Sequence, residues 1–350
     1  MKQRYHVLLC LLGVIGCLLF FPRDLSSALT FTPQALYDLT ASRTGQAAAK
    51  PVPFVSSGFA GFLDENGRPQ YVEKIRYGAA VSSMGIINYD SVSTKLVMRN
   101  RDGEIQVAIE TRGYPFFLKE RLLIISTDRL RLKEYTTDGD LLWSATFPSP
   151  VTACAAAGNR FLIGLLNGNF LYLNEAGEPL YSFTPPEGRI KVAYGAAMDA
   201  ASEASLVVAG IDPQTAYLLE ERNGELNSIE SFPLGSDLRR NLLVSSLHGG
   251  RFAIEQEQGL LVVDRTNLRR RYFSIPGRLL SVQGHPESNL LSALSQDDSD
   301  RFVSMIGSES NYRGRLRLAG YGPGTSILWS GNRFIILVDG HVLVYRLELI

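Results

Sequence analysis

The feature that most limits the fold is a turn glycine that returns along the chain at nearly constant spacing. It stands in Glu65-Asn66-Gly67, Arg101-Asp102-Gly103, Thr137-Asp138-Gly139, Glu175-Ala176-Gly177 and Arg222-Asn223-Gly224, at intervals of 36, 36, 38 and 47 residues. Arg265-Thr266-Asn267 continues the series with Asn in the glycine place. A period near 40 marks a repeat protein, in which each unit is too small to bury its own faces and must stack on its neighbours.

The units read as β-strands. The clearest is 158–186, GNRFLIGLLNGNFLYLNEAGEPLYSFTPP. It predicts strands over 160–166, 170–174 and 179–183. Asn167-Gly168 joins the first pair as a two-residue type I′ hairpin turn, since both residue types tolerate positive φ. Glu175-Ala176-Gly177 joins the second pair. Gly158-Asn159-Arg160-Phe161 returns as Gly331-Asn332-Arg333-Phe334, with Asp339-Gly340 as its hairpin turn. Looser copies begin at Gly250-Arg251-Phe252 and at Glu120-Arg121-Leu122. Several units close on an aromatic and a proline (Phe147-Pro148, Phe232-Pro233), where a strand end needs no further ladder donor.

Four strands in about 40 residues fit the blade of an all-β propeller. Units fall at 79–112, 115–148, 150–185, 190–233, 240–276 and 279–318, and a last one begins near 325 without a fourth strand of its own. Residues 54–76 contain a turn and a strand of the missing kind. They are expected to close the ring by pairing into the C-terminal blade, so that no edge is left open. The expectation is seven blades of four antiparallel strands, with six and eight left open, over 54–350. Residues 25–53 read as a linker, with a short helix over 32–41.

Lys2 and Arg4 precede a 15-residue apolar run, 7–21. As a helix it would be roughly 22 Å long, short of a ~30 Å hydrocarbon core. Residues 1–24 are therefore expected to be a signal peptide or membrane anchor. Three outcomes are open: an uncleaved anchor, cleavage after Ser26-Ser27-Ala28, or lipidation of Cys17 in the lipobox-like Val14-Ile15-Gly16-Cys17. Each puts the remaining chain outside the cytoplasm.

Lys+Arg and Asp+Glu both number 35. A chain with no net basic charge is not expected to bind nucleic acid. The local cluster Arg269-Arg270-Arg271 reads as a solvated strand edge. Outside the leader only Cys154 remains, flanked by alanines, and it reads as an inert thiol. Asp297-Asp298-Ser299-Asp300 lacks the spacing and the turn glycine of a calcium loop and reads as a hairpin. His248, His285 and His341 sit in loop-like positions and read as surface residues. No GxSxG elbow, phosphate loop or CxxC pair occurs. Catalytic, cofactor and metal residues are expected to be none.

Tyr135-Thr136-Thr137-Asp138-Gly139-Asp140-Leu141-Leu142-Trp143 resembles the repeat of quinoprotein-type (PQQ-like) and, more loosely, WD40-like propellers, where a turn Gly is followed shortly by Trp. Asn174-Glu175-Ala176-Gly177-Glu178-Pro179-Leu180-Tyr181 is similar, with Tyr for Trp. The resemblance implies a non-catalytic member, because the vicinal cysteines of quinone-binding dehydrogenases are absent here. By analogy of fold and location it points to the propeller lipoprotein of outer-membrane β-barrel assembly. The implied role is a protein-interaction scaffold of the cell envelope. The alternative is a propeller enzyme or small-ligand binder using the central channel.

Overall fold

The computed structural model describes residues 29–40, 50–56, 58–199, 204–222, 225–235, 238–285, 290–307, 312–319 and 324–349, together with Ser288. These residues form a ring of eight antiparallel sheets. Blade 1 comprises Val52–Ser56, Phe59–Leu63 and Pro69–Lys74. Blade 2 comprises Gly78–Ser82, Gly85–Tyr89, Lys95–Arg99 and Ile105–Glu110. Blade 3 comprises Tyr114–Leu118, Arg121–Ile125, Arg131–Tyr135 and Leu141–Thr146. Blade 4 comprises Val151–Ala157, Arg160–Leu165, Phe170–Leu173 and Pro179–Phe183. Blade 5 runs through Ile190–Met198, Ala204–Ile211, Thr215–Arg222 and Glu225–Pro233. Blade 6 runs through Val244–Leu247, Arg251–Gln256, Gly259–Asp264 and Arg270–Ser274. Blade 7 runs through Arg278–Gly284, Leu291–Asp297, Asp300–Ile306 and Tyr312–Leu318. Blade 8 joins Ser326–Ser330, Arg333–Val338 and His341–Leu349 to the N-terminal strand Leu29–Asp38. The strands of each blade are given from the channel outward.

The blade count is eight, not seven. Residues 54–76 do not close the last blade; they make up most of a blade of their own. The turn at Gly67 looks like the turn that precedes an outer strand elsewhere, but blade 1 uses it one strand further in. Accordingly Gly67 faces Val344 on the third strand of blade 8, whereas Gly139 and Gly177 face Val107 and Trp143 on outer strands. Closure falls to Leu29–Asp38, inside the stretch read as linker and short helix. That strand pairs from Leu29↔Leu349 to Asp38↔His341, with a bulge between Pro33 and Ala35. Phe31 meets Phe334 and Tyr345 edge-on at 6.2 and 6.0 Å. Pairing and packing override a weak local helix preference. The leader 1–24 and Cys17 lie outside the described residues.

The core is distributed between blades. Phe161, Phe252 and Phe334, at the same place on the second strands of blades 4, 6 and 8, are fully buried. Each face of a blade packs on the next blade, so both sides of the second strands are buried.

The recurring turn has a common construction. Gly177 N–H donates to Asn174 O at 3.1 Å and takes φ +76. Asn174 Oδ1 accepts the amides of Ala176 and Glu178, both at 2.9 Å. Asp64, Asn100 and Thr136 do the same for their own turns. The residue three before each glycine is thus part of the signal. The Asn167-Gly168 turn differs from the predicted type I′ form. Gly168 has φ +87 but Asn167 is not left-handed, and Gly168 N–H closes on Leu165 O at 2.9 Å. This is the three-residue loop with a glycine bulge. Asp339-Gly340 does form the two-residue turn, with φ +48 and +79.

Candidate functional site

A second repeated position is the arginine that opens the second strand of blades 3, 4, 6 and 8: Arg121, Arg160, Arg251 and Arg333. Three of them tie their blade to the next. Arg121 donates to both oxygens of Glu134 at 2.7 Å, lies 4.1 Å over the Phe161 ring of blade 4, and reaches Glu175 O there at 3.4 Å. Arg160 donates to Glu221 of blade 5, which also accepts from Tyr181 Oη at 2.9 Å. The hydrogen bond from Arg160, with that from Tyr181, holds the Glu221 carboxyl below the ordinary range against the opposing effect of burial. Arg333 donates to Glu65 O of blade 1 at 3.3 Å, and Ser330 Oγ joins it at 2.9 Å.

The fourth, Arg251, opens on a cleft of about 290 Å³ between blades 6 and 7. Its floor is apolar: Val262, Phe273, Leu291 and Ile306, all buried. Its wall carries Arg251, Arg269, Arg271 and Asp264. Arg251 Nε donates to His248 O at 3.1 Å, and Arg251 stands opposite Asp264 in the ladder. Burial pulls the Arg251 pKa below its ordinary value; Asp264 opposes this and Arg271 adds to it. Burial would raise the Asp264 carboxyl, but hydrogen bonds from Thr266 and from the 266 and 267 amides, with Arg251, carry it below the ordinary range. Both groups are charged at neutral pH. Among the described residues of the lining, three guanidiniums face one carboxylate. Gly307 ends the blade 7 wall and leads out of the described residues. The volume is at the low end of small-molecule sites, which run from about 300 to 1,000 Å³. It suits one or two side chains or a small anion.

The Arg269-Arg270-Arg271 cluster lies at the outer strand of blade 6, and strand alternation divides it. Arg269 and Arg271 line the cleft, while Arg270 stacks 4.8 Å over Phe232 of blade 5. Strand period 2, applied to the run, would have found this split. Asp297 and Asp300 pair across a hairpin turn with Asp298 at φ +49, and Asp300 accepts from Arg317 Nε at 2.8 Å. Among the described residues no group of three or more His, Cys, Asp or Glu could hold a metal ion. His285 is not a surface residue. It is 8% exposed, with its ring edge-on to Trp329 at 4.7 Å between blades 7 and 8. His341 starts the third strand of blade 8, exposed. The three histidines belong to three different blades: His248 to blade 6, His285 to blade 7 and His341 to blade 8.

Cys154 sits half-buried on the inner strand of blade 4, and the desolvation of its sulfur pushes the thiol up to about 12. At pH 8 roughly one molecule in ten thousand would carry the thiolate. Iodoacetamide should therefore alkylate Cys154 in the native protein at least ~100-fold more slowly than in denaturant, read by mass spectrometry of the Cys154 peptide. Equal rates would refute the burial. The raised value also means that the neutral thiol's contribution to stability is whole below the unfolded pKa and fades as pH rises toward 12.

An uncharacterised protein of Treponema pallidum (strain Nichols) is 21% identical over 247 residues, 70% of this chain. The match spans 66% of that protein's length. Among solved structures, BamB from Moraxella catarrhalis superposes with a TM-score of 0.65 at 14% identity, over 91% of this chain and 100% of that one. Apo AztD from Citrobacter koseri superposes with a TM-score of 0.59 at 10% identity, over 83% and 89%. At these identities the likeness is one of fold. A family model for "beta-propeller protein" matches residues 1–319, and with the eight-sheet ring it establishes that the chain belongs to the beta-propeller protein family.

Proposed function

We propose that this protein is a docking scaffold of the cell envelope, held outside the cytoplasm by residues 7–21 or by lipid on Cys17. Its cleft between blades 6 and 7 seats an acidic side chain and an adjoining apolar one of a partner protein. The observation that carries this reading is the cleft itself, where guanidiniums stand over an apolar floor. Arg presents a rigid fork that suits carboxylates, and an apolar floor rewards a neighbouring aliphatic group. The fold likeness to BamB supports a scaffold by analogy only. The Gly177–Trp143 contact supports the quinoprotein-type reading of the repeat, since it gives the Gly and Trp of that motif a joint task between blades.

The test is affinity isolation from detergent-solubilised membranes of the native host, with wild type beside Arg269→Glu/Arg271→Glu. Arg269 is exposed and Arg271 half-buried, so thermal unfolding of the double variant is read alongside to tell a loss of fold from a loss of binding. The wild type is expected to bring down a stoichiometric protein, and the variant to lose at least ~90% of it, since reversing two charges costs several kcal/mol. Retention of the partner by the variant, or a small molecule in place of a protein, overturns the proposal.

A further inference from the structure

We propose that the open edge of blade 1 is a β-augmentation site. It takes an extended segment of a partner protein as the blade's fourth strand, with a Lys or Arg of that segment set against Glu73. This does not depend on the arginine-lined cleft.

Seven of the sheets have four strands, and blade 1 has three among the described residues. Its outermost strand, Pro69–Lys74, therefore lies one strand width, about 4.8 Å, inside the rim. The burial pattern agrees: only Lys74 of its six residues is exposed, against four of six in the outer strands of blades 2 and 3. A strand added here would enter a recess between the outer strands of blades 8 and 2 and would be packed on both faces. At any other blade it would stand proud of the rim.

Two further observations say what the added strand carries. Gln70 Oε1 and Glu73 Oε1 are closed to solvent and have no hydrogen-bond partner among the described residues. Among the described residues Glu73 Oε2 accepts only from Tyr71 Oη, at 3.5 Å. Glu134 and Glu255, two buried carboxylates elsewhere in the ring, are matched by Arg121 and Arg240, each through two hydrogen bonds, whereas half-buried Glu73 has no such cation among the described residues. An orphaned buried carboxylate oxygen is costly, and an incoming cation removes that cost. On the blade 2 side, Ile105 is 62% exposed and pairs across the ladder with Arg99, whose charge acts on Tyr71. An apolar side chain of the added strand would cover it. The fitting segment is extended, alternates apolar and polar residues, and bears one cation. Main-chain ladder bonds supply the affinity and the side chains the selectivity.

The probe is an acetylated eight-residue peptide alternating Val and Thr around one central Lys, with hydrogen exchange read by mass spectrometry on the full-length protein. Saturating peptide is expected to slow exchange across residues 70–74 about tenfold or more, and the same peptide N-methylated on alternate amides to do nothing. Glu73→Gln keeps the shape and is expected to weaken peptide binding about tenfold. Equal protection of the blade 2 and blade 3 outer strands overturns the proposal, and unchanged affinity in Glu73→Gln overturns the assigned cation. So does protection of 70–74 without peptide, whether lost on dilution, which would mean a second copy, or on replacing 41–49 by a Gly-Ser linker, which would mean the chain itself.

Discussion

Glu134→Ala is expected to lower the stability of the ring by about 3–5 kcal/mol, the range for breaking a buried ion pair from one side. Glu134 is 3% exposed on the third strand of blade 3. Its two oxygens accept from Arg121 at 2.7 Å each, and Oε2 also accepts Trp143 Nε1 at 2.6 Å. Truncation strands a guanidinium whose side chain is only 22% exposed, together with a buried indole N–H. The guanidinium also covers Phe161 of blade 4, so the damage reaches the blade interface. Urea unfolding of wild type, Glu134→Ala and Arg121→Met/Glu134→Leu checks the account. The double variant is expected to recover more than half of the loss, because no charge is left buried. A single-variant loss under about 1 kcal/mol would mean the pair is solvated in solution.

Gly177→Ala is expected to cost about 2–4 kcal/mol, from two separable sources. At φ +76 a side chain costs roughly 1 kcal/mol. The added Cβ would also sit 2.5 Å from the Trp143 ring, whose displacement costs a further 1–3 kcal/mol or so. Gly331→Ala separates the two, because φ is +53 there and nothing lies within 4 Å. It is expected to show only the backbone part, about 1 kcal/mol. Equal losses at both positions would remove the inter-blade role of the turn glycine.

These two positions show how far the chain can be read before it folds. The turn glycines were legible because their chemistry is local: Asn174, Ala176, Gly177 and Glu178 satisfy one another within five residues. Alternation within strands was legible for the same reason, and the predicted strands of blade 4 fall within a residue of the observed ones. The second task of Gly177, contact with Trp143 of another blade, lies 34 positions away and left no mark in its own turn. The arginine cleft was half legible: Arg269-Arg270-Arg271 was visible as a cluster, but its division between two blade interfaces needs the strand register. Nothing in the row of letters linked Arg251 to Leu291 and Ile306.

By itself, then, the sequence determined a ring of short antiparallel sheets, their turns and their approximate boundaries, since each of these is settled by neighbours along the chain. Only the tertiary structure decided that there are eight sheets and that Leu29–Asp38 completes the last of them. That strand is joined to its partner across a sequence separation of 318 residues in the bond from Thr30 to Glu348. Over such a span local preference carries no information. The unfilled edge of the C-terminal sheet selects the strand that pairs and packs best, which no window of the sequence contains.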